Sequence, residues 1–61
     1  MRSARPGDYV VFRHRRTGQV LEGRVEKVVA YRTGFVAAHV RLPDGRLLTD
    51  VAVKRDVLAI A

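Results

Sequence analysis

The side chains with the clearest chemical potential form a basic run early in the chain. Residues 13–16 read Arg-His-Arg-Arg and lead into Thr17, Gly18 and Gln19. Guanidinium groups are planar, multiply donating cations that suit the recognition of phosphate. A basic hairpin can follow a phosphate backbone, although the same charges also prevent a solvated strand edge from pairing with other chains. The run therefore predicts either a polyanion-binding hairpin or a hydrated hairpin tip.

No recognisable catalytic or metal-binding set accompanies this run. His14 and His39 do not have the spacing of metal ligands, the chain has no Cys, and Ser3 lies near the amino terminus rather than beside a base. The aspartates occupy turns or flank the last predicted strand, so no carboxylate pair stands out as a general acid and base. We therefore expect a protein that is not an enzyme and that uses no metal or cofactor.

The net charge favours an acidic partner. Twelve Lys and Arg residues oppose six Asp and Glu residues, which gives a net charge of +6 on 61 residues, and ten of the twelve cations are Arg. Such a charge attracts phosphate or another acidic surface over a long range, but it does not specify the partner. The excess of Arg over Lys is ambiguous, because GC-rich and some thermophilic genomes also encode Arg where others encode Lys.

Composition also bears on the compartment. The absence of Cys excludes a disulfide framework and fits a reducing environment. No apolar stretch approaches the roughly 18 residues that span a bilayer, and the first eight residues lack the apolar core of a signal peptide. We expect a cytoplasmic protein with no membrane partner.

Turn chemistry divides the chain into five predicted strands. Residues that favour turns cluster with Gly at 6–8, 16–19, 32–34 and 43–46. Alternating apolar residues between these turns predict strands at 9–15, 20–31, 35–42, 47–53 and 57–60. Gly23 lies inside the second strand, where it predicts a bulge or a sharp bend with close backbone approach.

Alternation within the strands assigns side chains to two faces. The residues predicted to face the core are Val10, Phe12, His14, Val36, Ala38, Val40 and Leu42. The opposite face combines aromatic, small and basic residues, namely Tyr9, Val11, Arg13, Arg15, Phe35, Ala37, His39 and Arg41. The outward face is therefore the more informative one about function.

The two ends of the chain need separate predictions. A helix capped by Asp50 would place Val53, Val57 and Ile60 at helical spacing, but residues 50–61 are few and rich in Val. We therefore predict a strand, a short helical turn over 54–56 and a final strand. Residues 1–5 are predicted to be a flexible basic arm, and residues 6–61 a single domain.

These patterns predict an all-β fold, a small five-stranded SH3-like barrel with a short helical turn before the last strand. Four segments are similar to SH3-like barrels of the KOW type and to short bacterial single-barrel proteins: Gly7-Asp8-x-Val10-x-Phe12, Gly23-x-Val25-x-Lys27-Val28, residues 36–40, and Val51-x-Val53-Lys54-Arg55-x-Val57-x-x-Ile60. The resemblance implies contact with RNA, ribosomal protein or RNA polymerase.

The outward face predicts nucleic-acid binding, to RNA in preference to DNA and with weak sequence specificity. Six arginines are predicted to contact phosphates and two aromatic residues to stack on bases: Arg13, Arg15, Arg16, Arg24, Arg32, Arg41, Tyr9 and Phe35. The alternative is a protein-interaction or homo-oligomeric module that docks on an acidic partner. In that case Tyr9, Val11 and Phe35 would form a buried patch.

Overall fold

Five antiparallel strands follow one another at the predicted turns. In the computed structural model, which describes residues 3–61, they are β1 (Tyr9–Arg13), β2 (Val20–Ala30), β3 (Val36–Arg41), β4 (Leu47–Ala52) and β5 (Val57–Ile60). They form one sheet in the order β4-β3-β2-β1-β5. The predicted all-β fold class is confirmed, and the return of β5 beside β1 is consistent with an SH3-like barrel. Residues 3–61 contain no helix that could cross a membrane.

The predicted short helical turn before the last strand is not seen. Residues 53–56 instead form a hydrogen-bonded turn, in which the Asp56 N–H donates to the Ala52 carbonyl at 2.8 Å. The Asp56 carboxylate in turn accepts from the Ala52 N–H at 3.1 Å. A side chain that bonds the backbone in this way offers an alternative to helix, and four residues are too few to offset the cost of helix nucleation. Residues 50–61 are therefore strand, turn and strand.

The sheet folds over itself at the middle of β2. The first half of β2 pairs with β1 and the second half with β3, and Arg24 is paired on both sides, with Tyr9 and with Arg41. A Cβ atom on the neighbouring Gly23 would clash with the carbonyl oxygen of Arg41 and lie 2.8 Å from Cγ1 of Val40. Gly23 therefore permits the close backbone approach that its position in the strand predicts.

One hydrophobic core fills the space inside the bent sheet. Phe12, Val10, Val25 and Val40 are its largest fully buried side chains. The faces predicted for β1 and β3 are largely confirmed, with one exception. Ala37 was predicted to face outward, yet it is only 1% exposed. Ala37 is nevertheless not part of the core cluster, and it lines an open cleft together with Phe35.

The amino-terminal segment contributes to this core. Ala4 is 5% exposed and belongs to the core cluster. The Arg5 N–H donates to the Asp8 carboxylate at 2.8 Å, and the Asp8 N–H donates to the Arg5 carbonyl at 3.0 Å. Of the predicted basic arm, residues 1 and 2 lie outside the described residues. The boundary between residues 5 and 6 stays a prediction.

Candidate nucleic-acid interface

Six of the eight predicted site residues lie in two groups, the second of which also contains Tyr31, a residue that was not predicted. The first, the Tyr9 row, consists of Tyr9, Arg24 and Arg41, which occupy paired positions on three neighbouring strands. The second, the Arg15 group, consists of Arg15, Tyr31, Arg32 and Phe35, from the β1–β2 and β2–β3 loops. The two groups differ in how many of their donors are already engaged within the protein.

Arg24 lies against Tyr9 in the Tyr9 row. Its guanidinium carbon is 5.2 Å from the centroid of the Tyr9 ring, and its Nη1 donates to the Gly7 carbonyl at 2.9 Å. Cross-strand pairing puts the two side chains on one face of the sheet, where a cation over an aromatic ring is favourable. The contact keeps the Tyr9 ring half-buried, so a nucleobase would have to displace Arg24 to stack there.

Arg41 is the most fully engaged of the predicted arginines. Its Nε and Nη2 donate to the Glu26 carboxylate at 2.7 and 3.1 Å, and its Nη1 donates to the Gly45 carbonyl at 2.9 Å. The hydrogen bond from Arg41, together with the charges of Arg41 and His39, lowers the pKa of the Glu26 carboxyl below its ordinary value. The same bond raises the pKa of Arg41. A phosphate would have to compete with Glu26 for these donors.

A tight turn positions the two rings of the Arg15 group. The Gly34 N–H donates to the Tyr31 carbonyl at 3.0 Å, and the Tyr31 N–H donates to the Phe35 carbonyl at 2.8 Å. Gly34 has φ of 90°, in the left-handed region that residues with a Cβ rarely adopt. The turn brings the ring centroids of Tyr31 and Phe35 to 5.9 Å, with an interplanar angle of 29°. The rings are therefore stacked with an offset.

Arg15 joins this ring pair from the other hairpin. Its guanidinium carbon is 5.6 Å from the Phe35 centroid, and its Nη2 is 3.7 Å from the buried carboxylate of Asp56. Asp56 is only 7% exposed, and its carboxylate also accepts from the Ala52 N–H. Arg15 is thus held between an aromatic ring and an anion, while its own side chain stays 41% exposed.

An open cleft of about 610 Å³ adjoins the ring pair. The β2–β3 loop contributes Tyr31, Arg32 and Phe35 to its lining, and β4 contributes Thr49 and Asp50. Tyr31 is 50% exposed, whereas Phe35 is less exposed and only partly accessible to solvent. The lining of the cleft therefore combines an accessible ring with residues that carry hydroxyl and carboxylate acceptors and with one arginine.

Three of the predicted arginines, Arg13, Arg16 and Arg32, have few or no side-chain contacts within residues 3–61. Arg13 has one long contact, from its Nη1 to the Gly18 carbonyl at 3.4 Å. The side chains of Arg16 and Arg32 make no hydrogen bond or ion pair with any residue between 3 and 61. These two are the predicted arginines whose donors are most readily available to a ligand.

Sequence reasoning missed three residues of this region, namely Tyr31, Asp50 and Asp56. Tyr31 had a usable signal, because aromatic residues on both sides of a three-residue turn face each other as a cross-strand pair. Asp56 had none, since the alternation of β5 does not show that its carboxylate turns inward to Ala52. Among residues 3–61 no group of three or more His, Cys, Asp or Glu side chains is placed to hold a metal ion.

Comparison with known proteins adds no assignment. No protein-family model matches the chain, and no curated protein or solved structure matches it significantly.

Proposed function

We propose that this chain is a non-enzymatic nucleic-acid-binding barrel of the cytoplasm, with RNA preferred to DNA and with weak sequence specificity. The observation that carries the proposal is the Arg15 group, in which Arg15 and Arg32 border two stacked rings. Proteins that bind single strands combine basic side chains for the phosphates with exposed rings for the bases. The net charge of +6 would bring the polyanion to the surface.

Arg16 and Arg32 are the main phosphate contacts in this proposal. Neither side chain has a partner within residues 3–61, so neither has to break an internal bond when it binds. Arg15, which lies over the Phe35 ring, can contact the same nucleic acid, although its ion pair with Asp56 partly neutralises its charge. Arg13 and Arg24 are secondary contacts. Arg41 contributes least, because Glu26 and Gly45 occupy its donors.

Charge reversal tests the proposal. The double variant Arg16→Glu/Arg32→Glu should keep the fold and lose at least roughly tenfold in affinity for an unstructured RNA at low salt, because each lost phosphate contact reduces the electrostatic free energy of binding. The matched control is Arg5→Glu/Arg46→Glu, which changes the net charge equally at exposed positions outside the site. Fluorescence anisotropy measures both. Equal losses in the two variants would contradict the assigned site, and no binding of any nucleic acid would refute the proposal.

A second candidate function, self-assembly, is favoured by a different surface. β5 is an edge of the sheet, its Leu58 is 50% exposed, and a cleft of about 560 Å³ lined in part by Val53, Val57 and Ile60 lies beside it. An open edge with apolar side chains can pair with the same edge of a second copy. The patch of Tyr9, Val11 and Phe35 that the sequence predicts is less suited to self-assembly, because Arg24 covers Tyr9 and Arg15 covers Phe35.

Sedimentation separates the two candidates. If the chain assembles through β5, then Leu58→Lys should convert a dimer into a monomer without changing RNA affinity. A monomer at micromolar concentration that binds RNA would exclude assembly as the main function. A dimer that binds no nucleic acid would favour it.

A further inference from the structure

We infer that the ligand of this surface is single-stranded and that one unpaired nucleobase stacks on Tyr31, inside the cleft between the β2–β3 loop and β4. This inference rests on the proposed function and deepens it, since it names a residue and a class of ligand. Of the three aromatic residues of the site, Tyr31 is the one whose ring no arginine between residues 3 and 61 covers, and half of its surface is exposed.

The partners of Phe35 explain why Tyr31 is the receiving ring. Phe35 is already in contact with Arg15 and with Tyr31, and Tyr9 lies under Arg24. A base on Tyr31 would extend a stack that already contains a guanidinium and two rings. The turn that closes on Gly34 fixes the Tyr31 backbone before the ligand arrives, so little conformational entropy is lost on binding.

The charges around the cleft favour a base inside it and phosphates outside it. Asp50 lines the cleft, and its carboxylate repels a phosphate from the interior. The same carboxylate and the Thr49 hydroxyl can accept N–H donors from the edge of a neutral base. Arg32, which lines the cleft, and Arg16, which follows Arg15 in the β1–β2 loop, have no side-chain partner within residues 3–61 and can therefore bind the neighbouring phosphates. The cleft therefore suits a base, and the loops suit the backbone.

A duplex is a poor fit to this arrangement. Its bases are paired and stacked on each other, so none can reach Tyr31 unless it leaves the helix and loses its pairing and stacking energy. The phosphates of a duplex remain available to the arginines, so duplex binding is expected to persist but to be weaker. The Tyr31 site thus adds a preference for single strands over duplexes, which a basic surface alone would not provide.

An abasic nucleotide provides a direct test, because it removes one base and keeps every phosphate. The probes are an unstructured RNA of about six nucleotides and the same RNA with one central abasic site, within the range that single-strand barrels contact. Loss of the base should weaken binding to the unchanged protein by roughly 5- to 150-fold, the usual range for one stacked base. The Tyr31→Leu variant should bind the two RNAs equally, whereas Tyr31→Phe should keep the difference.

Two controls distinguish this inference from the proposed function. Tyr9→Leu removes the other tyrosine and should leave the abasic effect unchanged. In a Tyr9→Phe background Tyr31 is the only tyrosine of a chain that has no Trp, so quenching of tyrosine fluorescence on RNA binding reports on its ring directly. Equal affinity of the unchanged protein for the intact and abasic RNAs, or no quenching in that background, would overturn the inference while leaving phosphate binding intact. Absence of all binding at low salt would instead refute the proposed function.

Discussion

The absence of a side chain at Gly23 allows two strands to approach each other closely. Its backbone lies directly under the Arg41 carbonyl and Cγ1 of Val40, so the space for a Cβ atom is already occupied. The φ of Gly23 is not positive, and the requirement is therefore one of space. Because a backbone carbonyl cannot rotate away as a flexible side chain can, the sheet itself would have to move.

Gly23→Ala should therefore destabilise the barrel strongly. We expect a loss of about 1–3 kcal/mol in the free energy of unfolding, the usual cost of overpacking, and the rigid neighbour favours the upper end of that range. Gly18→Asn is the control, because Gly18 has φ of 74° with open space around it and Asn tolerates that conformation. Urea denaturation measures both. A smaller loss for Gly23→Ala than for Gly18→Asn would show that the strands separate easily at this point.

Asp56 is a buried anion whose main partner is a backbone N–H. Asp56→Ala would leave the Ala52 N–H buried without an acceptor, so we expect a loss of about 1–3 kcal/mol in unfolding free energy. Asp56→Asn keeps an acceptor oxygen and should lose less, since the ion pair involves a partly exposed Arg15. Denaturant unfolding of both variants checks this. Equal losses would indicate that the charge of Asp56, rather than its acceptor, stabilises the turn.

The strands could be predicted from the sequence because alternation and turn residues are local signals. The bounds of β5 match the prediction, and those of β2 differ by one residue. The sequence did not predict which arginines bind other residues of the protein. Arg41, for example, donates to Glu26 at a shift in strand register, and the alternation of side chains does not locate such shifts. Phe35 was identified from its residue type, whereas the roles of Tyr31 and Asp50 depend on how the β2–β3 loop lies against β4.

Glu26 and Arg41 join β2 to β3 at the point where the register of the two strands shifts. The pairing passes from Val25 with Val40 to Lys27 with His39, so Glu26 is the extra residue of a bulge. Its carboxylate lies against the Arg41 guanidinium, which holds the pKa of Glu26 below its ordinary value. The bulge thus turns a charged side chain towards a cross-strand partner.

This lowered pKa predicts how the contribution of Glu26 depends on pH. A carboxyl with a lower pKa in the folded state binds fewer protons there, so its stabilisation is present above about pH 4.3, the unfolded value, and is lost as the pH falls through the folded value. Glu26→Gln should lower the midpoint of thermal unfolding at pH 7 and have no effect near pH 2. Circular dichroism at a series of pH values measures this difference.

Glu22→Gln is the matched control for this titration. Glu22 lies on the same strand, is exposed and makes no ion pair within residues 3–61, and its substitution changes the net charge equally. We expect a small effect from this control at every pH. A Glu26→Gln effect that stays constant between pH 7 and pH 2 would contradict the role of the ionised carboxylate.

For the whole molecule, the separation of the two arginine groups determines how binding responds to salt. Arg24 lies in the middle of β2 and Arg32 beyond its end, up to about 26 Å away along an extended strand. We therefore expect a short RNA bound at Tyr31 to contact the Arg15 group in preference to the Tyr9 row. A longer RNA can follow the bent sheet and reach Arg24 as well.

The slope of log K against log salt concentration should therefore depend on the length of the RNA. Three phosphates, contacted by Arg15, Arg16 and Arg32, predict a slope of about −2 for a short single strand, and all six predicted arginines would give about −4. Because Glu26 and Gly45 occupy the donors of Arg41, we expect five contacts with a long RNA and a slope between these values, near about −3.5. Anisotropy titrations at several salt concentrations with two lengths of RNA measure this. Equal slopes for the two lengths would mean that the Tyr9 row takes no part in binding, and a slope near zero would exclude phosphate contacts altogether.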